Sequence, residues 1–115
     1  MRIVLGVVLA LAPCVALAED WQKLDGPAII LALSARTLGY AEGKTQSFAA
    51  DGGTIYTADN DQSGHWRVEG DRYCSVWPPS DRWTCYGIEA EIGGLDIRFV
   101  AGDGSATVGR YIDLK

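Results

Sequence analysis

A chain of 115 residues with a formal net charge of −5 has room for one domain and not for two. Its acid excess argues against nucleic acid and anionic lipid as partners. With 48% hydrophobic residues it can bury a real but modest core, which a covalent staple would help to hold.

Residues 1–18 read as a targeting segment rather than as structure. Arg2 supplies a short positive region, Ile3 to Ala12 is apolar, and Ala16-Leu17-Ala18 is an A-x-A cleavage site before Glu19-Asp20. The apolar run is shorter than the roughly 20 residues of a membrane span. A lipoprotein signal at Cys14 is the rival reading, but Pro13 stands where that signal wants a small residue, and the A-x-A site lies beyond it. The expected product is a periplasmic or secreted single domain over residues 19–115, with cysteines Cys74 and Cys85 as an even pair in an oxidising compartment.

The first element of that domain reads as a helix over residues 26–36. Asp25 can cap it, Pro27 suits its first turn, and no breaker follows until Arg36. Its apolar residues surround nearly the whole helix, which implies packing on more than one side. From residue 37 onward the chain reads as short strands: Thr37 to Glu42, Gln46 to Ala50, Thr54 to Ala58, His65 to Glu69, Arg72 to Trp77, Arg82 to Ile92, Leu95 to Ala101 and Thr107 to Asp113. Glycine-rich or proline turns separate them, among them Ser63-Gly64, Gly70-Asp71, Pro78-Pro79-Ser80-Asp81 and Gly93-Gly94. The pattern predicts a mainly β fold, a small antiparallel meander barrel or sandwich of about seven to eight strands with one N-terminal helix and one disulfide.

The turns also predict registers. A tight turn at Gly70-Asp71 pairs Val68 with Tyr73 and Trp66 with Ser75; the proline turn pairs Tyr73 with Tyr86 and Cys74 with Cys85. A turn at Gly93-Gly94 pairs Ile92 with Leu95, Ala90 with Ile97 and Ile88 with Phe99. These registers gather Trp66, Val68, Tyr73, Trp77, Tyr86, Ile88, Ala90, Ile92, Leu95, Ile97 and Phe99 on an inner face. His65, Arg67, Glu69, Arg72, Glu89, Glu91, Asp96 and Arg98 fall on a wet outer face, with the Cys74–Cys85 bridge, Val76 and Trp83 beside them.

Chemistry-bearing patterns are sparse. Asp59, Asp61 and Ser63, followed by Gly64, match the first half of a calcium loop, yet the position that should hold a bidentate glutamate is Gly70. The lone histidine, His65, reads as solvated, because a zinc site would need more ligands and a triad would need a nucleophile motif. Glu89 and Glu91 share the wet face, where charged strand residues are ordinarily only solvated. The aromatics carry more weight: most read as core, while the hairpin tip offers Trp77, Arg82 and an outward Trp83 as candidate binding residues. A cover for the disulfide is the alternative role of Trp83.

The stretch Gly64-His65-Trp66-Arg67-Val68-Glu69-Gly70-Asp71-Arg72-Tyr73-Cys74-Ser75-Val76-Trp77, followed by Trp83-Thr84-Cys85-Tyr86, resembles small exported proteins of Gram-negative bacteria. The resemblance implies export and a β-rich domain, and no activity. A looser likeness, at the level of fold, is to periplasmic inhibitor barrels. The leading expectation is a non-enzymatic binding module without cofactor, taking a protein partner or a small apolar ligand at the barrel mouth or at the Trp83 hairpin tip. An inhibitor of a secreted hydrolase, protease or lysozyme, is the first alternative, and a calcium-stabilised structural protein the second.

Overall fold

The computed structural model describes residues 20–113, and the expected signal segment with Cys14 lies outside the described residues. In chain order the elements are β1 (Trp21–Lys23), α1 (Gly26–Leu33), β2 (Arg36–Gly39), a 3-10 turn (Ala41–Gly43), β3 (Thr45–Phe48), β4 (Gly53–Thr57), β5 (Asp61–Glu69), β6 (Arg72–Val76), β7 (Thr84–Glu91), β8 (Asp96–Val100) and β9 (Ala106–Tyr111). Strands β2 to β9 form a closed antiparallel barrel of eight strands. Each pairs with the next in sequence, and β9 returns to β2 through Leu38↔Tyr111 and Gly39↔Arg110.

Every strand expected after the helix is present, and the meander is the barrel. One strand was not foreseen. β1 pairs Trp21, Gln22 and Lys23 with Glu91, Ala90 and Glu89 of β7, beyond the stretch of β7 that β6 covers. The expected break at Ser63-Gly64 is no break, since β5 runs through it from Asp61 to Glu69. The expected registers at Gly70-Asp71 and at the proline turn are those observed, with Val68 opposite Tyr73, Tyr73 opposite Tyr86 and Cys74 opposite Cys85. Gly70 takes the turn at φ +60°, a conformation that glycine adopts without steric cost.

Helix α1 stoppers one end of the barrel. Its start is fixed by the expected cap, with the Ala28 N–H donating to Asp25 Oδ1 at 3.0 Å. The Gly26 N–H donates to Asp71 Oδ1 at 2.8 Å, which ties the helix to the β5–β6 turn. A Cβ on Gly26 would lie 2.3 Å from the Gly70 carbonyl oxygen, so only glycine permits this approach. The helix stops at Leu33, earlier than the expected Arg36. Ala35 at φ +61° swings the chain round, and its N–H donates to the Phe48 carbonyl at 2.7 Å, so that Arg36 already belongs to β2. At the same end the Tyr111 hydroxyl donates to the Ala32 carbonyl at 2.7 Å.

The expectation that α1 packs on more than one side is overturned. Ile29 and Leu33 are fully buried, whereas Leu31 is 80% exposed and Ile30 48%. A helix laid over a barrel end buries only the side turned to the lumen. The core joins Ile29 and Leu33 to inward residues of the strands, Leu38, Phe48, Trp66, Ile88, Ile97 and Phe99.

Two inner-face expectations fail at the same rim. Ile92 and Leu95 are exposed, because the β7–β8 ladder ends at Ala90↔Ile97. Residues beyond that pair form the turn, where the Gly94 N–H donates to the Glu91 carbonyl at 3.2 Å and the Ile92 N–H to the Asp20 carbonyl, just before β1, at 3.0 Å. On the outer side, the disulfide joins Cys74 and Cys85 with Cα atoms 4.0 Å apart, as the register requires. It is not wet: Cys74 is fully buried and Val76 nearly so. Arg67, the register partner of Cys74, lays its guanidinium 3.8 Å from the Trp83 ring centroid. Glu89 and Arg98 pair across β7–β8, and the Arg98 guanidinium stacks 4.2 Å from the Trp21 ring centroid.

Candidate functional site

The two ends of the barrel differ. An eight-stranded barrel encloses enough room for its own side chains or for one small ligand. Here α1 and the core fill one half. The opposite half, where the β2–β3 and β8–β9 turns converge, opens as a cup of about 640 Å³. Its walls carry Tyr40, Tyr56, Tyr73 and Tyr86, together with Phe99 and Trp77.

Strand alternation aims these rings inward. Tyr56 stands opposite Gln46, Tyr73 opposite Tyr86, and Phe99 opposite the core residue Ile88. The rings support one another edge to face, Tyr73 on Phe99 at 5.3 Å between centroids and Tyr56 on Trp77 at 6.5 Å. Two glycines serve as seats. A Cβ on Gly64 would lie 2.6 Å from Trp77 Cε3, and one on Gly109 would lie 2.8 Å from Tyr40 Cε1. The Trp77 and Tyr40 rings therefore lie on bare backbone, an arrangement that covers a glycine within a sheet with an aromatic neighbour.

The cup floor holds a hydrogen-bonded network around Gln46, which is 6% exposed. Its Oε1 accepts from the Tyr40 hydroxyl at 2.8 Å, and its Nε2 donates to Thr54 Oγ1 at 2.9 Å and to the Tyr73 hydroxyl at 3.2 Å. Thr54 Oγ1 donates onward to the Ser47 carbonyl at 2.7 Å. A buried amide satisfied in this way fixes the rings it touches. Burial pushes the Tyr40 phenol well above its ordinary range, with the neighbouring Tyr73 and Tyr56 adding to the effect. Burial also raises Tyr73, against the opposing pull of hydrogen bonds from Ser75 and Gln46.

These raised values have a sign for stability. The folded chain holds protons that the unfolded chain releases near the ordinary tyrosine value of 10.0, so the contribution is complete below that pH and is lost above it. The urea midpoint is expected to stay level up to about pH 9 and to fall above about pH 10, more steeply than in Tyr73→Phe. Equal slopes for the two proteins would show that the Tyr73 phenol takes no part.

Of the residues singled out from sequence, Trp77 is the one placed in the cup. Arg82 is exposed in the β6–β7 loop, its backbone N–H donating to Ser80 Oγ at 3.1 Å. Trp83 lies on the outer side as expected, half-buried, with the Arg67 guanidinium stacked on its ring. His65 is exposed on the outer face of β5. Asp59 lies in the β4–β5 turn, while Asp61 and Ser63 lie on β5 opposite Thr57 and Ile55. An extended strand strings such residues along a line instead of wrapping them about a point, and Asp61 Oδ1 accepts instead from Thr57 Oγ1 at 2.9 Å.

Tyr40, Gln46 and Tyr56 were not foreseen as site residues. The alternation Gln46, Phe48 on one strand and Thr54, Tyr56 on the next was the available signal, since it puts a glutamine on the same face as a core phenylalanine. Compared with known protein families, curated proteins and solved structures, the chain finds no match.

Proposed function

We propose that the protein is an exported, non-enzymatic binding module that takes a small apolar ligand through the open end of its barrel. The observation that carries this reading is the aromatic-walled cup of about 640 Å³ above a fully packed floor. Pockets of this size and lining suit small-molecule ligands. Among the described residues the one carboxylate on the cup wall is Glu42, paired with Lys44 at 3.5 Å, and burial raises the floor phenols Tyr40 and Tyr73 further above neutral pH. Such a lining favours holding a ligand over transferring protons to it. Export is supported by the signal-like residues 1–18 and by a disulfide compatible with an oxidising compartment.

The test is titration with the neutral fluorophore N-phenyl-1-naphthylamine. Saturable enhancement is expected, weakened about ten-fold in Trp77→Ala, which removes a wall ring, and unchanged in Trp83→Ala, which lies outside the cup. Loss in Trp83→Ala with Trp77→Ala unaffected would move the site to the hairpin tip. No enhancement in the parent protein would remove the cup reading altogether.

A further inference from the structure

We infer that the cup selects an uncharged, flat ring compound bearing a hydroxyl or carbonyl group, gripped through the Tyr56 and Tyr86 hydroxyls. The inference rests on the binding reading above and specifies its ligand. Its first ground is the state of the polar groups in the cup. Tyr40 donates to Gln46, Tyr73 accepts from Gln46, and the Gln46 amide is itself engaged on both sides. Tyr56 and Tyr86 also line the cup, yet neither hydroxyl makes a hydrogen bond among the described residues. Each phenol retains a proton to donate and lone pairs to accept with.

The second ground is placement. Tyr56 is on β4 and Tyr86 on β7, three strands apart round a barrel of eight, so the two hydroxyls approach the lumen from well-separated walls. Beside them stand two further rings, Trp77 edge to face with Tyr56 and Phe99 edge to face with Tyr86, each at 6.5 Å between centroids. A flat ring can lie against these side chains while its polar substituent meets one of the free phenols.

The third ground is charge. Glu42 and Lys44 are the charged residues of the wall, and each is the other's partner at the rim. Below them the lining is neutral, and the floor resists charge: burial raises both Tyr40 and Tyr73. An anionic ligand would need Lys44 taken from Glu42 and would approach a protein of net charge −5. A quaternary ammonium could stack on the rings, but it would leave both free hydroxyls without a partner.

The experiment is equilibrium dialysis of the full exported chain at neutral pH against four probes sharing one ring system: 2-naphthol, naphthalene, 2-naphthoate and 2-naphthyltrimethylammonium. 2-Naphthol is expected to bind about five- to ten-fold more tightly than naphthalene, the gain of one hydrogen bond, and more tightly than either ion. In the Tyr56→Phe/Tyr86→Phe double variant the ratio of naphthol to naphthalene affinity should fall to about one, a readout that a general loss of folding, which would lower both affinities together, would not produce. Naphthalene bound as tightly as naphthol by the parent, either ion bound more tightly, or an advantage that survives in the double variant would overturn the ligand class and leave the cup as a binding site. Failure of all four probes to bind would overturn both readings.

Discussion

Phe48→Ala is expected to lower the unfolding free energy by about 3–5 kcal/mol, the usual cost of truncating a buried phenylalanine. Phe48 is 1% exposed and sits where the two halves of the barrel meet. Its ring meets Trp66 and Tyr73 edge to face at 5.8 Å each and stacks with Phe99 at 6.3 Å. It shares the core with Ile29 and Leu33 of α1, so it links the helical stopper to the rings that line the cup. Its carbonyl also receives the Ala35 N–H that turns the chain from α1 into β2. Alanine would keep that backbone bond and remove the ring, leaving a void bordered by rigid aromatics with little freedom to collapse. Urea unfolding should show a large drop in midpoint with little change in slope. A loss below about 1 kcal/mol would mean that α1 or the cup wall closes over the void, contrary to the packing described.

What the sequence disclosed was governed by turns. The tight turn at Gly70-Asp71 leaves one register for its hairpin and put Val68 opposite Tyr73, and the proline turn put Tyr73 opposite Tyr86 and Cys74 opposite Cys85. At Gly93-Gly94 the same logic held for Ala90 opposite Ile97 and Ile88 opposite Phe99, but the turn is longer than two residues, so Ile92 and Leu95 leave the ladder and their side chains are exposed. Gly64 misled for a different reason. A glycine beside a serine reads as a turn, whereas here it clears space for Trp77 inside a strand, and that need arises only once β5 and β6 lie together. The exposed Ile30 and Leu31 could not be foreseen from a helix that is apolar all round, since what matters is that the barrel offers it a single surface. β1 carries too few residues for a period to emerge. The cup was the least legible feature. Alternation tells which side chains point inward, but whether they meet or leave a space depends on the summed volume of residues from all eight strands at one height.

Removing both cysteines, as Cys74→Ala/Cys85→Ala, is expected to cost about 2–3 kcal/mol, the value for a short cross-linked loop. The location makes the loss more than a general weakening. β6 and β7 pair through Tyr73↔Tyr86, Cys74↔Cys85 and Ser75↔Thr84 alone, one of the two shortest seams of the barrel. The other, β2–β9, is extended by Asp113, whose Oδ2 accepts from the Thr37 N–H at 2.9 Å and whose Oδ1 pairs with Arg36. At β6–β7 the corresponding reinforcement is the covalent bridge, helped by Arg72 Nη2 donating to the Cys85 carbonyl at 3.0 Å. The residues next to the bridge, Tyr73, Ser75 and Tyr86, point the other way and line the cup. Loosening this seam should therefore weaken N-phenyl-1-naphthylamine binding at temperatures where circular dichroism still reports a folded barrel. Binding that persists unchanged until the whole barrel melts would show that the cup wall is held by packing and hydrogen bonds, with the bridge acting only on the unfolded chain.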